Sequence, residues 1–379
     1  MNNGALYDER FTRIKKALHC EPVSQIPVIF QGTAFAPRYM GMKMSQFASD
    51  MDASSFVDLQ AMNSIGGFDG LQFAGPGAVV PSLLSSLWLS KVKVPGKELP
   101  DDSLWQVVEA EVMRPQDYDT ILQRGWDAFV AEYMPRVVDM EVFGERMMWV
   151  FQNGGRMIEK YSEHGYVVLC DAPVGCSIPF EYFCGARSMS QFYLDLRRMP
   201  DKVEAAMKVV QQSTLEKIKA APPCSPLQVG CTWIGSWRSA PAMISPKLLD
   251  RFVWPYVLEL VDALVSKGYT PIFHFDQDWT LGLDRLTEVP PKTCVLNPDG
   301  MTDVRKFRKI VGDRMSLLGD VPSSLFAVGS PDDVYDYVRR LVQDTGSLGL
   351  LLCPGCDAPI NTKPGNMEAF VAAARDYGR

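Results

Sequence analysis

Eight short apolar runs, each separated from the next by a longer polar or amphipathic stretch, constrain this chain more than any other feature. They fall at 26–31, 70–73, 166–171, 227–231, 270–274, 294–297, 316–319 and 348–353. Runs of this length, bounded by Gly, Pro and polar residues, read as buried strands. Between the later ones the helix starts are explicit. Ser245-Pro246 opens 247–267 with a capping serine and a proline at the first helical position. Ser330-Pro331 opens 334–344 in the same way, and Thr302-Asp303 opens 304–311. Strands alternating with helices imply a parallel sheet, and eight such units imply an α/β fold closed into a (β/α)8 (TIM) barrel, one domain spanning 1–379. An open doubly wound sheet shares this alternation. No Gly-x-Gly-x-x-Gly turn follows an early strand, however, so that fold gains no support from dinucleotide binding. The stretch 74–165 is a long insertion after the second strand, expected to cap one mouth of the barrel. Pro27, inside the first run, suits a strand start better than an interior.

In such a barrel the working residues sit at the C-terminal ends of the strands. Those ends read Gln31, Phe73, Asp171, Cys231, His274 with Asp276, Asn297, Asp320 and Cys356. His274-Phe275-Asp276 and Pro354-Gly355-Cys356-Asp357 place an imidazole, a carboxylate and a thiol just past two strands. That donor set suits zinc with an open coordination position. The chain has only three histidines, which adds weight to one placed here. The bland alternatives remain. His274 is also readable as a satisfied buried histidine, and Asp276 as a helix cap or as a group orienting His274 from outside the metal. Cys356 is favoured over Cys353, which ends its strand and points into packing; Cys231 is a minor alternative thiolate. Gln31, Asp171, Asn297 and Asp320 are candidate substrate-binding groups, with Trp233, Trp237 and Trp279 near the fourth and fifth strand ends. The tryptophans either fill the upper layer of the barrel or line a flat apolar pocket for an aromatic ring. Arg238 either anchors a carboxylate or forms an ion pair. Met147, Met148 and Trp149 read as core.

Composition excludes several partners. A net charge of −7 offers no basic patch for nucleic acid. No apolar run approaches the roughly eighteen residues of a membrane span. The first ten residues lack the apolar core of a signal peptide. Nine cysteines, an odd number, suit a reducing, cytoplasmic setting.

Four blocks together resemble the uroporphyrinogen decarboxylase superfamily and, within it, the zinc-dependent corrinoid-linked methyltransferases. They are Ile244-Ser245-Pro246 leading to Ile272-Phe273-His274-Phe275-Asp276; Leu318-Gly319-Asp320-Val321-Pro322; 328–334; and 354–359. The resemblance spans nearly the whole chain, strongest from about Ile244 onward. It implies a barrel that opens toward a partner corrinoid protein, which supplies the cobalamin, with zinc at the strand ends. Thiol-accepting members use a His-x-Cys pair and a distant Gly-Cys. His274 and Cys356 match, but Asp276 stands where the middle cysteine belongs. The arginine-rich substrate motif of genuine uroporphyrinogen decarboxylases is also missing, since 31–38 contains only Arg38. A substrate with many carboxylates needs more cations than that. The expected reaction is therefore methyl transfer from a methyl ether, with a methoxylated aromatic as the small-molecule donor, to the partner's cob(I)alamin. The alternatives are transfer in the opposite sense to a zinc-bound thiol, porphyrin decarboxylation, and a non-catalytic ligand-binding barrel. Oligomeric state is left open, a homo-oligomer included.

Overall fold

The computed structural model describes residues 3–378. Eight parallel strands form its centre: β1 Ile29–Phe30, β2 Gly70–Leu71, β3 Val167–Val168, β4 Cys231–Ser236, β5 Thr270–Phe275, β6 Val295–Pro298, β7 Ser316–Leu318 and β8 Leu350–Leu351. β1 pairs with β2 and β2 with β3, while β4 to β8 pair in chain order. Two seams close the ring. Cys231 N donates to Leu169 O at 3.1 Å, joining β3 to β4. Ile29 N donates to Leu352 O and Leu352 N to Pro27 O, both at 2.8 Å, joining β8 to β1. A short strand at Cys176–Ser177 adds to the upper half of β4, opposite Ile234 and Gly235. The barrel expected from the alternation of runs is the fold.

Alternate residues of each strand face the interior. Low in the barrel these are apolar: Ile29, Val167, Leu169, Cys231, Ile272, Val295 and Leu351 form one cluster. The helix Asn3–Leu18 contributes Ile14, Ala17 and Leu18 to the same cluster, so it stoppers the N-terminal end. Arg13 and Arg10 on this helix hold Asp69 at 2.5 and 3.3 Å, and the other Asp69 oxygen accepts Val28 N at 2.8 Å. That carboxylate ties the stopper to the starts of β1 and β2. Outward residues such as Phe273, Phe275, Leu296 and Leu317 pack against the surrounding helices. Burial of each such side chain contributes about 1.5–3 kcal/mol.

The stretch 74–165 contains helices Val80–Trp88, Asp117–Arg124 and Trp126–Tyr133 and an antiparallel hairpin of Val92–Lys93 with Gln106–Val107. Its last helix, Met140–Glu163, is capped by Asp139 and returns the chain to the base of β3, in the place of an ordinary crossover helix. Buried Arg187 fastens the insertion to the helices after β3, holding Asp195 at 2.6 Å, Glu111 at 2.5 Å and Met113 O at 2.6 Å. Among the described residues no helix is long and apolar enough to cross a membrane.

The structure corrects four readings of the sequence. Met148 is exposed on the helix Met140–Glu163, and Met147 and Trp149 beside it are only half-buried, so the three are not core. The fourth strand is Cys231–Ser236, not 227–231; Leu227 is exposed in the preceding loop, and Gly230 turns the chain with φ 79°. The expected helix 247–267 is two, Pro246–Phe252 and Trp254–Ser266, because Pro255 lacks the N–H that a continuous helix needs there. The first strand begins after Pro27, which contributes only its carbonyl to the ladder.

Candidate metal centre at the barrel mouth

Up five of the strands the inward row changes from apolar to polar or polar-tipped. Ile29 is followed inward by Gln31, Cys231 by Trp233, Ile272 by His274, Val295 by Asn297 and Leu351 by Cys353. The polar residues meet at one level. Gln72, just past β2, joins them: its Oε1 accepts Trp233 Nε1–H at 2.8 Å, and its Nε2 reaches Gln31 Oε1, Asn297 Oδ1 at 3.4 Å and Cys353 Sγ at 3.5 Å.

This layer fixes His274. Asn297 Nδ2 donates to Leu318 O at 2.6 Å, so its Oδ1 is the atom that faces His274 Nδ1, at 2.7 Å. His274 Nδ1 therefore carries the proton, and Nε2 presents a bare lone pair. The Trp233 ring stacks on the imidazole, centroids 4.0 Å apart and planes 15° from parallel. Burial depresses the His274 pKa to about 4 despite the Asn297 bond and nearby Asp299, which keeps the ring neutral near pH 7.

One step farther up lie the other two donors. Asp276 Oδ1 is 3.5 Å from His274 Nε2 and Cys356 Sγ is 3.8 Å from it; the three donor atoms lie within 4.8 Å of one another. Asp276 Oδ1 is buried without a hydrogen-bond partner among the described residues. Burial, then Asp299, pushes the Asp276 carboxyl up to about 7, and burial with Asp276 and Asp357 raises the Cys356 thiol. A lone pair, an unpaired carboxylate and a thiol thus converge with no cationic side chain between them among the described residues. That donor set fits a zinc ion, which would relieve all three at once.

Two carboxylates set the loops that carry these donors. Asp299 accepts Gln277 N at 2.8 Å and Met301 N at 2.9 Å, bracing the loops after β5 and β6. Asp357 accepts Thr33 N and Ala34 N, each at 2.8 Å, locking the segment after β8 onto the one after β1. Gly355 permits close approach, since a Cβ there would lie 2.7 Å from the Asp299 carbonyl carbon.

The other candidates divide. Trp237 belongs to the mouth: its ring occupies the space a Gly235 side chain would take, 2.2 Å from that Cβ position, and Gly235 pairs with His274. Phe73, half exposed, meets the Trp233 ring edge-on at 4.7 Å. Arg238 adjoins Trp237, with Nη2 3.7 Å from Glu109 Oε2. Four residues are not brought together with this group. Cys231 begins β4 at the stoppered end. Asp171 lies beside it, its carboxylate accepting Val229 N and Gly230 N at 3.0 and 2.7 Å. Asp320 accepts the Tyr337 hydroxyl at 3.0 Å, toward the outer helices. Trp279 is 1% exposed and stacks on outward-facing Phe275 at 4.1 Å, which makes it packing. Gln72 is not among the strand-end residues because the apolar run ends at Phe73, one residue on and on the opposite face. A polar residue inside the run Gly70-Leu71-Gln72-Phe73 was the available signal. A cleft of about 620 Å³ between the hairpin and the helix Met140–Glu163 contains none of the donors.

The family model for uroporphyrinogen decarboxylase (URO-D) matches residues 171–377, more than half of the chain. The chain belongs to this family. The match takes in β4 to β8 and both donor-bearing loops, and leaves β1 to β3 and the insertion outside it. A uroporphyrinogen decarboxylase of Danio rerio is 25% identical over 160 residues, which are 40% of this chain and 42% of that protein. The chain thus spans less than half of that relative in the alignment. A solved structure, a methyltransferase from Methanosarcina mazei, superimposes with TM-score 0.68 over 97% of this chain and 98% of that one, at 15% identity. At such identity the likeness speaks for the fold, a (β/α)8 barrel of the URO-D type that includes the first three strands.

Proposed function

We propose that the protein is a zinc-dependent methyltransferase that moves the methyl group of an aromatic methyl ether to the cob(I)alamin of a partner corrinoid protein. The observation that carries this reading is the convergence of His274 Nε2, Asp276 Oδ1 and Cys356 Sγ at the open end of the barrel. Zinc held by these three would act as a Lewis acid on the ether oxygen, whose developing negative charge is the obstacle to breaking a methyl–oxygen bond. The protein's own groups do the rest. Asn297 keeps the His274 lone pair on Nε2. Trp233 and Trp237 flank the donor site with aromatic faces that suit a flat ring. The insertion, one domain with the barrel, caps the mouth and limits water around the reacting oxygen.

Asp276 in place of a cysteine favours an oxygen ligand over a thiol. One carboxylate, one imidazole and one thiolate donate less to zinc than a thiolate-rich set and leave it more electrophilic. Decarboxylation of a polyanionic tetrapyrrole finds little to bind it, since Arg38, the one arginine of 31–38, is exposed on the helix Phe35–Tyr39. Metal analysis of the purified chain, then turnover of methoxylated aromatics with a reduced corrinoid protein, tests the proposal. Zinc at one per chain and a phenolic product are expected. Methylation of a thiol with no demethylation of any aryl ether would reverse the direction assigned here.

A further inference from the structure

Phe151 is 86% exposed, more than any other large apolar side chain among the described residues. It stands on the helix Met140–Glu163. That helix turns Arg146 inward, where it donates to Ser82 Oγ at 3.1 Å and to Ala48 O at 3.2 Å, and lower down it buries Met157 and Tyr161. Met140, Gly144, Met148, Phe151 and Gly155 follow one another in steps of three or four residues, so they share the face turned away from Arg146. Met140 and Met148 are 44% and 55% exposed. A helix face left to solvent is ordinarily polar or charged, and this one is apolar along its length.

The glycines of this helix have no use inside the protein. A Cβ at Gly144, Gly154 or Gly155 would meet nothing within 4 Å, so no close approach within the chain calls for them. Glycine also weakens a helix interior. What Gly144 and Gly155 do provide is an open notch on either side of Met148 and Phe151.

The face is complementary to itself. An antiparallel second copy, related by a two-fold axis between Met147 and Met148, sets Phe151 of each helix opposite Gly144 of the other. The same axis sets Met140 opposite Gly155, and Met147 meets Met148 at the centre. Such a closed two-fold contact makes every pair twice. It also brings Glu141 alongside Arg156 of the second copy. Both are exposed, on one flank of the apolar stripe, and roughly 22 Å of helix keeps them apart within one chain. A parallel pairing would instead set Phe151 against Phe151 and Glu141 against Glu141.

We propose that two copies of the chain associate through this face, by antiparallel pairing of the helices Met140–Glu163. Phe151 seats over the glycine notch of the other copy, and burial of the apolar stripe drives the association. The two Glu141–Arg156 pairs close its ends and fix its direction. None of these residues belongs to the candidate metal centre, so each copy keeps a complete site whatever the barrel catalyses.

Sedimentation and light scattering of the full-length protein over a dilution series test the proposal. The wild type is expected at twice 42.3 kDa. Phe151→Asp should weaken association at least about 30-fold, the effect of losing a central aromatic anchor. Gly144→Leu should do the same by filling the notch. Compared as monomers, its melting temperature should hold or rise, since the space there is open and leucine is the better helix former. Glu141→Arg and Arg156→Glu should each weaken the dimer, and the two combined should restore it, because only contact between copies brings these positions together. A wild type that stays monomeric at about 100 μM would overturn the proposal. So would a dimer that Phe151→Asp and Gly144→Leu leave intact, or a double charge swap no better than either single one.

Discussion

Replacing Asn297 with leucine should weaken zinc binding by about 10–100-fold, the range for removing the group that orients a metal-bound histidine. The magnitude follows from what the amide does. Its Oδ1 accepts from His274 Nδ1 at 2.7 Å, and its Nδ2 donates to Leu318 O at 2.6 Å. Leucine fills a similar volume but leaves both partners buried and unpaired, at a cost of about 1–3 kcal/mol each. The imidazole then has no reason to keep its proton on Nδ1, and the tautomer with Nε2 protonated cannot ligate. Asn297→Asp separates this effect from general loosening. It also loses the donor to Leu318 O, yet it keeps an acceptor, now charged, for Nδ1–H, and should hold zinc at least as tightly as the wild type. Competition with a chromogenic chelator at neutral pH measures the affinities, and the visible spectrum of the cobalt(II)-substituted proteins reports ligand geometry. If Asn297→Leu binds zinc within about threefold of wild type with an unchanged cobalt spectrum, Asn297 does not set the tautomer and the account of the site is wrong.

Cys356→Ser should lose most of the zinc, and with both proteins metal-free its stability should stay within about 1 kcal/mol of wild type, because the thiol sits at the mouth and not in the packed interior; full metal content by elemental analysis would remove Cys356 from the ligand set. Trp279→Ala should destabilise by about 3–5 kcal/mol in denaturant unfolding, as a fully buried aromatic does, with zinc retained in the folded protein. Asp320 gives a pH signature. Burial pushes its carboxyl up to about 7, above the ordinary value near 3.8. The native state therefore binds this proton more tightly than the unfolded chain, and Asp320 lowers stability progressively as pH rises from about 4 to 7. Asn at 320 still accepts from Tyr337 and removes that penalty. Asp320→Asn should gain about 1–3 kcal/mol relative to wild type at pH 8 and almost nothing at pH 4, read from parallel denaturant curves.

The barrel was legible because its evidence is local and repeated. Each run carries its own punctuation, and the caps at Ser245, Asp303 and Ser330 form as their sequences indicate. The meeting of His274, Asp276 and Cys356 at one place was legible as well, because strand ends on the same side of a barrel converge. What escaped were properties of register and of side-chain direction. Trp279 and Trp237 look alike in the sequence, yet one lies against outward-facing Phe275 and the other fills the space left by a glycine on the inward row. Asp171 and Cys231 were misplaced together, since a fourth strand shifted by a few residues carries its start to where its end was expected. Gln72 was missed for the smallest such error, a single position. Nor does the helix Asn3–Leu18 announce its role, because only the closed barrel provides the hole that Ile14, Ala17 and Leu18 fill.

That helix fills the N-terminal end of the barrel with Ile14, Ala17 and Leu18 and leaves the strand-end side to serve the candidate site. A substrate reaching His274 from that side passes Trp237 and the loops after the strands, and on the proposed reading a corrinoid protein presenting its cobalt to the same spot would sit across that route. Loading and docking would then exclude each other in time. On the proposed reading, the methyl donor would have to be in place before the partner seats, and the demethylated product would wait until it leaves. Steady-state kinetics of the complete system should therefore be ordered, with an excess of the unmethylated partner trapping product and slowing turnover. A second door at the base would have allowed the two traffic streams to run independently.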